Sequence, residues 1–210
     1  MSEETLSPEA ANPPRRAYLR QAWLVLLLAA LYGAALAGVH AGLSERIAEN
    51  ILRETLDQIP ELVPGAVSGL DRSGDIDPEL GIRVFEALDG DGDPNGWVVN
   101  LAGQGFADRI EILVGLDLAA DTITGVYILA QKETPGVGNH IASPAFTSLL
   151  RGKPTDVELK AVRGEPEEPG EFDALTGATV SSEAVANIIN AGLERVKPVL
   201  RALHSATEEP

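Results

Sequence analysis

Three hydroxyl-bearing residues, Thr179, Ser181 and Ser182, follow the small-residue turn Asp173-Ala174-Leu175-Thr176-Gly177-Ala178. The apolar residues Val185, Ile188, Ile189, Leu193 and Val196 then recur at helical spacing, so the hydroxyls stand at the start of an amphipathic helix. The first N–H groups of a helix lack intrahelical acceptors, and the helix dipole adds positive potential there. Such a start suits a phosphate, and the Thr179 hydroxyl is close enough to carry one covalently. Ser and Thr at a helix start also serve as caps. On residue type alone both readings stand.

A second group is Glu133-Thr134-Pro135-Gly136-Val137-Gly138, just after a strand-like run ending near Ala130. Pro135 and the glycines fix a turn whose backbone can approach a ligand closely. Glu133 reads as a structural acceptor rather than a catalytic base. An ordinary Thr-Pro-Gly turn is the plain alternative. In Asp89-Gly90-Asp91-Gly92-Asp93-Pro94, three acids take the first, third and fifth positions of a calcium loop. Pro94 replaces the required glycine, Asn100 replaces the final glutamate, and strands flank the run. The segment is therefore expected to be a hairpin turn.

Composition narrows the chemistry. The 210 residues include no cysteine, which removes disulfides, iron–sulfur clusters and thiolate metal sites. His40, His140 and His204 are too widely spaced to suggest a metal site. Of 16 basic and 32 acidic residues, three of each precede the long apolar run. The 13 basic and 29 acidic residues that follow carry the entire net charge of -16. Such a surface repels nucleic acid and anionic headgroups.

Elements that position these groups can be read along the chain. Ala22 to Val39 is uncharged and apolar, close to the ~20 residues that span a bilayer core. Arg15, Arg16 and Arg20 precede it and Glu45 follows, which predicts the N-terminus on the cytoplasmic side and the main domain outside. The pair Arg15-Arg16 and the small-residue stretch Ala35-Leu36-Ala37 also resemble an export signal, but the apolar run is long for one. The expected organisation is a cytoplasmic tail over 1–20, an anchor in the lipid bilayer over 21–43, a linking helix and loop over 44–80, a domain over 81–203 and a tail over 204–210. Ser44 is the expected N-cap of a helix that Pro60 and Pro64 end, and residues 65–81 read as loop. Strands are expected near 82–88, 97–101, 109–116, 123–130 and 157–162, with a short helix over 143–150. The last helix begins near Ser181, and Pro198 kinks or ends it. The fold class is α+β, one antiparallel sheet with helices packed around it.

The two motifs together resemble those of the FMN-binding domain family. Asp173, Thr176, Gly177, Ala178 and Thr179 match its Asp-x-x-(Ser/Thr)-Gly-Ala-Thr motif, and Glu133 to Gly138 matches its Glu-Thr-Pro-Gly-Leu-Gly turn with Val137 for leucine. Gly103 to Phe106 and the group Phe146, Arg151, Gly152 and Lys153 are similar to further elements of the family. The resemblance covers roughly residues 81–198 and the anchor. It implies FMN attached to Thr179 by a phosphoester, installed by a separate flavin transferase. Asp173, Thr176, Gly177, Ala178, Ser181, Ser182, Glu133, Thr134, Pro135, Gly136, Gly138 and Lys153 would form the site, and Leu175 and Val180 flank it.

With one anchor and one outward domain, the chain looks most like the G subunit of Rnf-type ion-translocating complexes, a relative of the C subunit of sodium-pumping NADH:quinone reductase. That resemblance implies an electron carrier without independent catalysis, in the inner (plasma) membrane, whose partners are the other membrane subunits of a ferredoxin:NAD oxidoreductase. Two further readings are an FMN-carrying accessory donor to another extracytoplasmic reductase or quinone reductase, and a non-redox anchored calcium-binding module.

Overall fold

The computed structural model describes residues 15–76 and 80–208. The sequence expectations for 1–14 and 209–210 lie outside the described residues. The chain divides into two compact units, Met1–Ile51 and Leu52–Pro210.

Helix α1 runs over Arg15–Leu62, without the break expected before Ser44. Between Val39 and Ser44 only Gly42 disfavours helix, and a single interior glycine costs about 1 kcal/mol. Ser44 is consequently not a cap; its Oγ donates to the Ala41 carbonyl at 3.0 Å within the helix. Of the two prolines expected to end the helix, Pro60 sits in its last turn. Termination follows at Pro64 and at Gly65, whose φ of +88° suits glycine. The apolar window of this helix has a mean hydropathy of 2.2 and is not buried within the protein.

In the second unit, β1 (Ser68–Asp71), β2 (Arg83–Leu88), β3 (Pro94–Gln104), β4 (Arg109–Asp117) and β5 (Ile123–Ala130) form one sheet in the order of the chain. Every neighbouring pair is antiparallel. β1 lies in the segment expected to be loop. It is a four-residue edge strand, too short to show a two-residue period in sequence. The turn between β2 and β3 is held by Asp89, whose Oδ1 accepts from the N–H groups of Asp91 and Asp93, both at 2.9 Å.

The β2, β3 and β4 sequences alternate poorly because both sheet faces are covered. On one face Phe85, Val98 and Leu113 pack with Ile59, Leu62 and Val63 from the end of α1 and the residue after it. On the other, Val84, Trp97, Val99, Ile112 and Val114 pack with Val185, Ile189, Val196 and Leu200 of α3 (Thr179–Glu208). Helix α3 continues through Pro198 and takes in most of the expected tail. Its apolar stripe is what docks it: burying each such side chain contributes about 1.5–3 kcal/mol.

The segment between β5 and α3 folds over the α3 face of the sheet. Helix α2 (Pro144–Thr147) is capped by Ser143, whose Oγ accepts from Phe146 N–H at 3.4 Å. Strands β6 (Lys160–Val162) and β7 (Glu171–Asp173) form a separate parallel pair. Only the end of the predicted 157–162 strand is therefore strand, and β7 was not expected. Phe146 and Phe172 meet edge to face with centroids 5.8 Å apart, which ties α2 to β7 within the core.

Candidate functional site

Strand β7 delivers Asp173 at its end, and a short turn then leads into α3. Ala174 N–H donates to the Val162 carbonyl at 2.7 Å, continuing the β6–β7 pairing. Gly177 adopts φ +85°, a left-handed conformation that an L side chain would strain. Ala178 N–H then bonds back to Leu175 O at 2.9 Å. Ser182 closes the turn from below: it is buried, its Oγ accepts from Leu175 N–H at 3.1 Å and donates to Ala178 O at 3.1 Å. These bonds set Thr179 as the first residue of α3.

The turn opens into a cavity of about 530 Å³, within the 300–1,000 Å³ usual for small-molecule and cofactor sites. Residues 173–181 form one wall, Thr134, Val137 and Gly138 a second, and Phe106, Arg163 and Gly164 complete the rim. Phe106, Val137 and Val180 are exposed apolar side chains there. Among the described residues, the N–H groups of Thr179, Val180 and Ser181 have no acceptor. The site thus offers a phosphate both helix-start donors and a hydroxyl, and it offers a flat ring apolar walls.

Glu133 joins the two motif segments from behind the wall. It is 3% exposed. Its Oε2 accepts from Ser181 Oγ at 2.6 Å and its Oε1 from Ala107 N–H at 3.0 Å. Gly105 and Gly138 are required by this arrangement. A Cβ on Gly138 would lie 2.9 Å from Ser181 Oγ and 3.0 Å from Glu133 Cβ, and one on Gly105 would collide with Glu133 Oε1. Pro135 and Gly136 shape the turn without lining the cavity. Gly136 N–H donates to Asn139 Oδ1 at 2.8 Å, and Val137 and Asn139 N–H both bond to Thr134 O at 3.2 Å.

The structure thus brings Asp173, Thr176, Gly177, Ala178, Thr179, Ser181, Thr134 and Gly138 to one cavity, with Leu175 and Val180 beside them. Lys153 is elsewhere: its Nζ donates to the Glu171 carbonyl at 2.5 Å, and it does not line the cavity. The cation that does is Arg163, whose Nε faces Thr179 Oγ1 at 3.4 Å. Nothing in the local sequence marks it out, because it sits just ahead of an acidic Pro/Gly loop and only the β6–β7 pairing turns it toward α3. Among the described residues no group of three or more His, Asp or Glu side chains could hold a metal ion.

Comparison with known proteins points the same way. Residues 105–194 match the model of the FMN-binding domain family. The chain is similar to the G subunit of an ion-translocating oxidoreductase complex from Methanosarcina acetivorans, 29% identical over 145 residues that cover 69% of this chain and 72% of that one. It is 35% identical over 92 residues to the G subunit of the Na(+)-translocating ferredoxin:NAD(+) oxidoreductase complex of Acetobacterium woodii, over 43% of this chain and 44% of that one. Among solved structures, NqrC of Shewanella oneidensis superimposes with a TM-score of 0.52 at 28% identity, over 57% of this chain and 61% of that one. The chain therefore spans less than half of the second relative and about three fifths of the third.

Proposed function

We propose, from the FMN-binding domain at residues 105–194, that this protein is an electron-transfer subunit that carries FMN covalently on Thr179 within an Rnf-type ion-translocating oxidoreductase. The observation that carries the reading is the placement of Thr179. It is the first residue of a 30-residue helix, its neighbouring N–H groups lack acceptors among the described residues, and it lines the 530 Å³ cavity. The two relatives from ion-translocating complexes support the electron-transfer setting.

When bound, FMN supplies the one- and two-electron chemistry; the polypeptide supplies attachment, orientation and electrostatics. The N–H groups at the start of α3 hold the phosphate. Thr134, Leu175 and Val180 pack about the cofactor, and Glu133 keeps Ser181 and the 134–138 turn in register. No internal base need activate Thr179, because a flavin transferase would make the phosphoester bond. A covalent link keeps the cofactor at high effective concentration, which matters where a lost molecule cannot be recaptured.

The apolar stretch of α1, near the N-terminus and long enough to cross a membrane, supports anchoring in the inner membrane. The arginines ahead of it support a cytoplasmic N-terminus and an extracytoplasmic domain. The other membrane subunits of such a complex are the proposed electron partners.

Co-expression with a flavin transferase followed by denaturing electrophoresis under ultraviolet light tests the attachment. A fluorescent band is expected that is lost in Thr179→Ala, with an intact-mass increment equal to FMN less water. Fluorescence retained in Thr179→Ala would place the flavin elsewhere.

A further inference from the structure

We infer that Arg163 is the cation that holds the cofactor's phosphate over Thr179, an inference that rests on the reading of Thr179 as the attachment residue. Arg163 is the one positively charged side chain among the residues lining the cavity, and Asp173 the one negatively charged. In a chain of net charge -16, an exposed arginine next to Glu165, Glu167 and Glu168 would be expected to pair with an acid. Among the described residues no carboxylate lies within ion-pair distance of it. Two nearby carboxylates are engaged with backbone instead. Asp173 Oδ1 accepts from Gly164 N–H at 3.3 Å, and Glu171 Oε2 accepts from the N–H groups of Glu167 and Glu168 at 2.8 and 3.2 Å.

Backbone geometry places the guanidinium. Val162 pairs with Asp173 in the β6–β7 register, so Arg163 leaves the strand beside the end of β7. Gly164, at φ +103°, turns the chain away immediately afterwards, and Asp173 holds that turn through the Gly164 N–H. This gives the motif aspartate a physical role: it fixes the loop that carries Arg163. Nε of Arg163 then faces the Thr179 hydroxyl oxygen at 3.4 Å.

A phosphodiester on that oxygen would lie between two sets of donors, the N–H groups at the start of α3 and the guanidinium fork. Arginine's planar N–H array matches phosphate oxygens in pairs, unlike the point charge of lysine. Without Arg163 the phosphate would be left beside the Asp173 carboxylate.

The test uses the full chain co-expressed with a flavin transferase. It compares the initial rate of covalent flavin incorporation in wild type, Arg163→Lys, Arg163→Ala, Arg163→Glu and Thr179→Ala. The expected order is wild type, Lys, Ala, Glu, with Ala slower by about tenfold, the size of one lost charge-assisted contact. In the loaded protein, the phosphodiester ³¹P resonance is expected to move between wild type and Arg163→Lys. Arg163 is exposed, so the thermal midpoints of the Arg163 variants should match wild type. Wild-type rates in Arg163→Ala and Arg163→Glu, or one equal loss in all three variants regardless of charge, would overturn the inference. Covalent flavin persisting in Thr179→Ala would instead overturn the attachment reading itself.

Discussion

Ser181 Oγ donates to the buried carboxylate of Glu133 at 2.6 Å across 48 residues of chain. This bond fastens the first turn of α3 to the residue that opens the Thr134–Gly138 turn, and so joins the two walls of the cavity. The same carboxylate takes Ala107 N–H and so holds the loop that carries Phe106.

Removing one partner should leave the other desolvated and unsatisfied. Ser181→Ala is expected to cost about 1–3 kcal/mol, measurable by chemical denaturation. Glu133→Ala should cost more, since it also frees Ala107 N–H. Both should slow flavin incorporation at Thr179 even though neither is the proposed acceptor. Wild-type stability in Ser181→Ala would show that the contact does not matter energetically.

Gly138 has no room for a side chain. Gly138→Ala would force Cβ to 2.9 Å from Ser181 Oγ and 3.0 Å from Glu133 Cβ, tighter than real Cβ contacts commonly are. A loss of about 1–3 kcal/mol is expected from this overpacking. Gly136→Ala has open space around its Cβ but a φ of +76°, so its smaller loss, about 1 kcal/mol, should come from backbone strain alone. Comparing the two thermal midpoints separates crowding from conformation.

Glu171 connects charge to pH dependence. Backbone N–H groups of Glu167 and then Glu168 hold its carboxyl below the ordinary value, with smaller help from Lys160 and Lys153. A depressed carboxylate stabilises the fold above its unfolded pKa, near 4.5, and that contribution is lost as pH falls through the folded value. The thermal midpoint of Glu171→Gln should therefore lie below wild type at neutral pH, and the two should converge in acid. A gap that stays constant with pH would mean that ionisation of Glu171 does not stabilise this loop.

The Asp89 turn should be indifferent to calcium. Its Oδ1 already accepts two N–H groups, so Asp89→Ala is expected to lose about 1 kcal/mol through the turn. Adding calcium or a chelator should move the thermal midpoint of neither protein. A rise with calcium in wild type that is absent in Asp89→Ala would revive a metal site there.

Local signals carried much of this protein. The uncharged run from Ala22 to Val39, the strands around 83–130, the apolar stripe of the last helix and the hydroxyls at its start all depend on neighbouring residues, and sequence spacing reports those directly. Lack of cysteine likewise needs no structure to exclude thiolate chemistry. Partnerships between distant segments were not legible. The resemblance implied Lys153 at the site, but its Nζ donates to the Glu171 carbonyl, whereas the register of Val162 with Asp173 brings Arg163 beside Thr179. The bond from Ser181 to Glu133, the edge strand at Ser68–Asp71 and the double-sided burial of β2 to β4 were hidden for the same reason. A side chain's partner is fixed by which strands pair and which face they bury, and only the tertiary structure settles that.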